Sequence, residues 1–432
     1  MKKLLSTINA TPVLLALFCG LTNSPVSAQP MHTPPKMPMA KAESVGMSSQ
    51  GLARIEDVMN EHIEAGHIQG GVTIVARRGR VVHFSTHGEM DVDKGRAMEN
   101  DAIFIMASST KPVLGVAAMM MIEEGLMSPS DPVSKYIPEF ADMKVVVPIK
   151  SDNGKGDKGK GKGKNKAPAY RLVPVDTPVT IHHLLTHTSG LTNRGLGWKI
   201  ASLGRHTRDD TLASYVPRLA QVPLDFQPGT QWGYSMGLDI VARIIEIVSK
   251  TPFDEFLRER IFDPLEMNNT YFNLPGNKAS KRIVLTGIGA EKGKDWLATT
   301  RYISASAGLS STAEDFLHFE QMLLNGGALF GHRLLSPASV KTMSSNQVGD
   351  LFAIAGKTLP GMGFGYTVGI TLDSKVAGNH RGNGAFGWRG AAGSVSWSDP
   401  ENELVAVYLP AKPRGGSVYG DFEKAVQQAI ID

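Results

Sequence analysis

The sequence predicts an α/β (α+β) fold: one antiparallel sheet built from both termini, flanked by helices, with an inserted helical lobe. Three observations lead there. Gly71–Ala76 and Val81–Ser85 are strand-like runs separated by Arg77-Arg78-Gly79-Arg80, the pattern of a hairpin. Gly363–Leu372, Ala391–Trp397 and Leu404–Leu409 are strand-like again near the other end. The middle of the chain is mainly helical in its apolar spacing, and the strand–helix alternation of a parallel sheet is missing.

Taken in order, the chain opens with Lys2 and Lys3, an apolar run and the small-residue site Val26-Ser27-Ala28. This is the pattern of a secretory signal over residues 1–28, so the expected location is periplasmic or secreted. The apolar centre, Val13–Leu21, is too short to cross a bilayer. Cys19 is the single cysteine and lies within it, so the mature chain would hold no disulfide and no Cys-based metal site. Residues 29–42, rich in Pro and Met, read as a disordered leader. Residues 43–432 form the folded domain. Ser48–Gly66 has helical spacing through Leu52, Ile55, Met59 and Ile63. A second helix follows Ser108 and stops at Gly125, with Pro112 suited to its first turn. Asp131–Pro138 is turn-rich, and Thr180–Gly190 is a short helix with a glycine stop. Helices are expected at 210–220, 236–250 and 252–262. Ser311-Thr312-Ala313-Glu314 reads as a capping box for a helix to Leu324, and Tyr419–Ile431 is a closing helix.

The chain is long enough for a large core, and 42% hydrophobic with 20% charged residues is a globular composition. Its formal charge of +4 is unevenly placed. Loss of Lys2 and Lys3 leaves +2, and residues 150–166 alone carry seven Lys and two Asp, so the remainder is acidic. A nucleic-acid partner is therefore not indicated. Residues 150–168 read as an exposed Gly/Lys-rich insertion, since alternating Gly and Lys can form no core. A weak contact of this loop with anionic cell envelope is a second reading. The oligomeric state is not readable.

Ser108 and Lys111 form the one Ser-x-x-Lys of the chain. At a helix start, a spacing of three puts hydroxyl and amine on one face beside unpaired N–H groups, which are parts of an acyl-transfer site. Gly233-Tyr234-Ser235-Met236-Gly237 offers a rival serine in a nucleophile-elbow pattern. The elbow needs a buried strand before it, and Phe226–Trp232 is a Pro-Gly turn. His183 and His187 stand four apart, but position 184 is Leu where a zinc-protease helix has Glu. They read as structural histidines, and neither metal nor cofactor is called for.

With Ser108-x-x-Lys111, Tyr234-Ser235-Met236 and Trp388-Arg389-Gly390 in order, the sequence resembles the serine β-lactamase and penicillin-binding superfamily. The likeness is to its class C-like branch, which includes the family VIII carboxylesterases. It covers residues 43 to 427 and extends to 131–140, 183–191, 228–235, 306–319 and 387–400. The resemblance implies a β-lactamase/transpeptidase-like fold and a Ser acyl-enzyme mechanism on a small ester or amide. Ser108 would be the nucleophile, Lys111 and Tyr234 would move the proton, and the N–H groups of Ser108 and Ala391 would hold the oxyanion. Met236, Trp388, Arg389 and Gly390 would border the substrate. Met236 and Trp388 replace the family's Asn and Lys, removing an amide and a cation that a β-lactam or D-Ala-terminated peptide would use. Arg389 could restore the cation or project away. The expectation is an exported serine hydrolase of small carboxylic esters. The alternatives are a β-lactamase, a D-Ala-D-Ala carboxypeptidase or D-aminopeptidase, or a non-catalytic binding protein on the same fold.

Overall fold

The computed structural model describes residues 36–149, 168–201, 203–235, 237–285, 299–354, 359–411 and 418–432. The expected signal segment, the first half of the leader (29–35), most of the Gly/Lys-rich insertion and Met236 lie outside the described residues.

The strand-like runs at both ends of the sequence meet in one eight-stranded antiparallel sheet. Its strands are β1 (Gly70–Arg77), β2 (Arg80–Asp91), β3 (Arg96–Ala97), β4 (Met362–Phe364), β5 (Gly369–Thr371), β6 (Phe386–Arg389), β7 (Val395–Asp399) and β8 (Leu404–Pro410). Their spatial order is β4-β5-β6-β7-β8-β1-β2-β3. The two ends join where β1 pairs with β8, Gly71 opposite Pro410 and Arg77 opposite Leu404. Both strands are buried along their whole length, which is why they read as continuous apolar runs.

Five helices matter for the site and its support: α1 (Ser49–Glu64), α2 (Lys111–Glu123), α3 (Leu238–Ser249), α4 (Ala313–Leu324) and α5 (Val418–Gln428). One face of the sheet packs Val75, Ala406 and Tyr408 with Leu52, Ile55 and Met59 of α1 and Phe422 of α5. The other packs Val72, Ile74 and Val407 into the larger core shared with α2, α3 and α4. From Lys111 to Met121 every residue of α2 is buried, so it is the central post of the helical lobe rather than an amphipathic surface helix. Gly115 lets the 366–367 turn approach, since a Cβ there would lie 2.3 Å from Thr367 Oγ1.

Four local expectations change. The run Ala391–Trp397 opens as a turn, closed by the Gly393 N–H to Gly390 O bond, and its strand β7 begins only at Val395. Gly363–Leu372 is a hairpin, β4 and β5, rather than one strand, because Thr367 takes a left-handed φ of 67° and turns the chain back. The N-cap of α4 is Thr312, whose side chain accepts the Asp315 N–H, while the Ser311 hydroxyl pairs with Thr270 at 2.7 Å. Residues 36–42 are not a disordered leader: Met37 is buried, Ala40 N–H donates to Val81 O at 2.9 Å, and Lys36 pairs with Glu314. The Gly/Lys-rich insertion is bracketed by paired strands Lys144–Pro148 and Tyr170–Pro174, with Pro148 opposite Tyr170.

Helix α4 turns a carboxyl, Glu320, into the core against β7. Its oxygens accept from Ser396 Oγ at 2.5 Å and Ser398 Oγ at 2.8 Å, and burial pushes its pKa up to about 7. A carboxyl whose pKa is raised by folding contributes stability that is complete below its unfolded pKa and lost as pH rises through the folded one. Glu320→Gln cannot ionise and keeps an acceptor and a donor for the two hydroxyls. The unfolding free energy of the variant minus that of the wild type should therefore climb between about pH 4.5 and 7, by on the order of 3 kcal/mol. Urea melts across this range measure it, and a difference independent of pH would show that Glu320 is ionised in the fold.

Candidate active site

The backbone presents Ser108 before any side chain acts. After the short strand Phe104–Ile105, Ala107 takes a left-handed φ of 46°, a conformation that costs a non-glycine residue about 1 kcal/mol or more. A 3-10 turn, Ala107–Thr110, follows and runs straight into α2. The turn is pinned from behind: Met106 N–H donates to Leu309 O at 2.8 Å, and Leu309 N–H donates to Thr110 Oγ1 at 3.1 Å. Ala107, Ser109, Thr110 and Lys111 are buried, whereas Ser108 is only half-buried.

Lys111 is 2% exposed. Its Nζ lies 3.2 Å from Ser108 Oγ, donates to Ser306 O at 2.6 Å and sits 4.7 Å from the centre of the Tyr234 ring. No carboxylate pairs with it among the described residues. Tyr234 is held on its other sides by Trp388, whose Nε1 reaches the phenol oxygen at 3.4 Å and whose ring stacks at 6.0 Å, and by His187, with ring centres 4.8 Å apart. The structure thus brings together Ser108, Lys111, Tyr234 and Trp388. Gly390 and Ala391 follow β6, and Gly390 lies directly against the nucleophile turn: a Cβ on it would stand 2.2 Å from Met106 O. Arg389 turns the other way. It is exposed and places its guanidinium 5.2 Å from the Tyr419 ring of α5, so it does not restore a cation beside Tyr234.

Ser235 is fully buried. Its Oγ lies 3.2 Å from His187 Nδ1 and accepts the Gly237 N–H, and irregular backbone rather than a strand precedes it. The elbow geometry is absent there. His183 is likewise occupied, its Nδ1 accepting the Thr180 N–H as part of a helix cap.

Two further residues support the site: His187, read from the sequence only as a structural histidine, and Asp239, which the sequence did not single out. His187 holds three consecutive residues: its carbonyl accepts the Gly233 N–H at 2.8 Å, its ring packs on Tyr234, and its Nδ1 meets Ser235. Burial, with Lys111 nearby, pushes its pKa well below 6.5, so the ring is neutral. Asp239, 1% exposed in α3, accepts from Tyr302 Oη at 2.8 Å and from the Ser306 N–H at 2.9 Å, and thereby fixes the loop whose Ser306 carbonyl holds Lys111. Burial raises the Asp239 pKa and these hydrogen bonds oppose the rise. A lone Asp among Leu238, Ile240 and Val241 was the available signal, since an aspartate on an apolar helix face needs buried partners.

Fold and site together define a serine hydrolase of the β-lactamase/transpeptidase-like kind. Residues 55–429 match the family described as Beta-lactamase, and the chain belongs to that family. It is similar to esterase EstB of Burkholderia gladioli, 28% identical over 408 residues that cover 88% of this chain and 94% of the esterase. Lovastatin esterase of Penicillium rubens is 26% identical over 400 residues, covering 85% and 95%. Among solved structures, EstCE1, described as a hydrolase with promiscuous acyltransferase activity, is 25% identical with a TM-score of 0.71, covering 88% of this chain and 99% of its own.

Removing the Asp239 carboxyl leaves the Tyr302 hydroxyl and the Ser306 N–H without their acceptor. Asp239→Ala should cost about 2–4 kcal/mol of stability in denaturant melts. Turnover of the folded fraction should fall more than about tenfold, because Lys111 loses its fixed carbonyl. Asp239→Asn, which retains one acceptor and gains a donor, should recover most of both. Normal turnover in folded Asp239→Ala would detach this network from the site.

Proposed function

We propose that the protein is an exported carboxylesterase that cleaves small esters through a Ser108 acyl-enzyme. The observation that carries this reading is the cluster of Ser108, Lys111 and Tyr234, in which Tyr234 also lines a cleft of 970 Å³ with Trp232, Phe352, Met362 and Trp388. Such a wall suits apolar acyl or alcohol groups. The similarity to EstB and lovastatin esterase supports an ester substrate. Export rests on the N-terminal sequence: Lys2 and Lys3, the apolar run and Val26-Ser27-Ala28.

In this mechanism Ser108 Oγ attacks the ester carbonyl and its proton passes into the Lys111–Tyr234 pair. The tetrahedral oxyanion is met by the N–H groups of Ser108 and Ala391. Collapse breaks the bond to the alkoxy oxygen, which leaves as the alcohol with the proton returned by the pair. Water then repeats the sequence on the acyl-enzyme and releases the carboxylic acid. A β-lactam or D-amino-acid peptide fits less well. Trp388 stands where its carboxylate would want a cation, and Arg389 is directed to Tyr419.

Tyr234→Phe keeps the ring packing and removes the phenol proton, so kcat on a chromogenic ester should fall by about 10²–10⁴-fold with a smaller change in KM. Ser108→Ala should abolish turnover, and Ser235→Ala should cost far less. Esters should be preferred over a cephalosporin such as nitrocefin in kcat/KM. Activity that survives Ser108→Ala but not Ser235→Ala would overturn the proposal.

A further inference from the structure

An oxyanion hole needs two N–H donors at a set separation, and here they belong to segments far apart in the chain. Ser108 lies on the turn before α2, and Ala391 lies on the turn between β6 and β7. Behind these donors two buried hydroxyls meet: Ser109 Oγ, 1% exposed, is 3.0 Å from Ser394 Oγ, 2% exposed. Ser394 Oγ also donates to Met106 O at 3.0 Å. A hydroxyl has one proton, so Ser109 must be the donor to Ser394, and the direction of the pair is fixed. The Ser394 carbonyl in turn accepts the Gly390 N–H at 2.8 Å, and Gly393 N–H donates to Gly390 O at 3.0 Å, which closes the turn that carries Ala391. Contact is tight on this side, since a Cβ on Gly390 would fall 2.4 Å from Ser394 Oγ as well as against Met106 O.

The far end of β7 is anchored independently. Ser396 and Ser398 point, like Ser394, into the buried side of the strand and bind Glu320 of α4. The strand is thus bolted to α4 at one end and to the nucleophile turn at the other. Apolar residues could fill the Ser109 and Ser394 positions without the cost of burying hydroxyls, but they would leave the two turns joined by packing alone.

We propose that Ser109 and Ser394 are positioning residues, a hydroxyl clasp that sets the spacing between the two oxyanion donors, Ser108 N–H and Ala391 N–H. The proposal rests on the acyl-enzyme reading of Ser108. Neither residue touches the substrate. Their effect is on the transition state, whose oxygen occupies the hole, more than on the ground state.

The test compares Ser109→Ala, Ser394→Ala and the double variant with wild type. Readouts are kcat and KM on a chromogenic ester, the affinity of a boronic acid whose tetrahedral adduct places an oxygen in the hole, and thermal stability. Each single variant should lower kcat by about 10- to 100-fold with KM within about threefold, and boronate affinity should fall by a like factor. The double variant should be no worse than about threefold below Ser394→Ala, because that change already removes both the Ser109–Ser394 and the Ser394–Met106 bonds. If stability falls while kcat and boronate affinity hold, the pair is ordinary core and the clasp is refuted. Multiplying effects in the double variant would refute it too. Should Ser394→Ala not fold, Ser109→Ala leaves the Ser394–Met106 bond in place and decides alone on the same readouts. Full activity in Ser108→Ala would instead overturn the underlying acyl-enzyme reading, so the two failures are distinct.

Discussion

A lysine amine almost sealed from water, with no carboxylate beside it among the described residues, is the constraint on which the site depends. Taking an amine out of water is costly unless dipoles replace the hydration. Ser306 O at 2.6 Å, Ser108 Oγ at 3.2 Å and the face of Tyr234 are those replacements. Each needs its own support. Asp239 holds the Ser306 loop, the left-handed Ala107 presents Ser108, and His187 with Trp388 sandwiches Tyr234. The buried acid Asp239 stands one step removed from the amine, behind the Ser306 peptide.

The topology explains how residues from separate stretches converge. The sheet is closed by pairing the two ends of the chain, β1 with β8, so the late strands β6 and β7 stand beside elements that left the sheet early. The nucleophile turn leaves a short strand and enters α2, whose full burial fixes its axis within the lobe. Tyr234 arrives on irregular backbone just before α3 and is located by neighbours rather than by regular structure. Buried polar groups tie these parts together in directions that apolar packing leaves free.

What was legible in the sequence follows from periodicity and punctuation. The hairpin at β1 and β2, helix α1, the α2 stop at Gly125 and the closing α5 all carry strong local patterns, and each forms close to its expected bounds except β2, which runs six residues past Ser85 to Asp91. Ser108 and Lys111 were legible because a spacing of three is local. Tyr234 and Trp388 were legible only by resemblance, since nothing in their immediate sequence joins them to Ser108. Asp239 and Ser394 were missed for one reason: their partners lie 67 and 285 positions away, beyond any local rule. The leader was misjudged at 36–42 because Met37 gains its burial only once the sheet and α4 exist. Thr367 split an expected strand because a left-handed threonine has no sequence signature.

Ser108 is set apart from the buried hydroxyls around it, because it alone in its turn is partly exposed and meets the Lys111 amine. Intact-mass spectrometry after reaction with a fluorophosphonate, followed by peptide mapping, tests it most directly. A single adduct is expected on the peptide holding Ser108, absent in Ser108→Ala. An adduct on Ser235, or equal labelling of the Ser108→Ala protein, would contradict it.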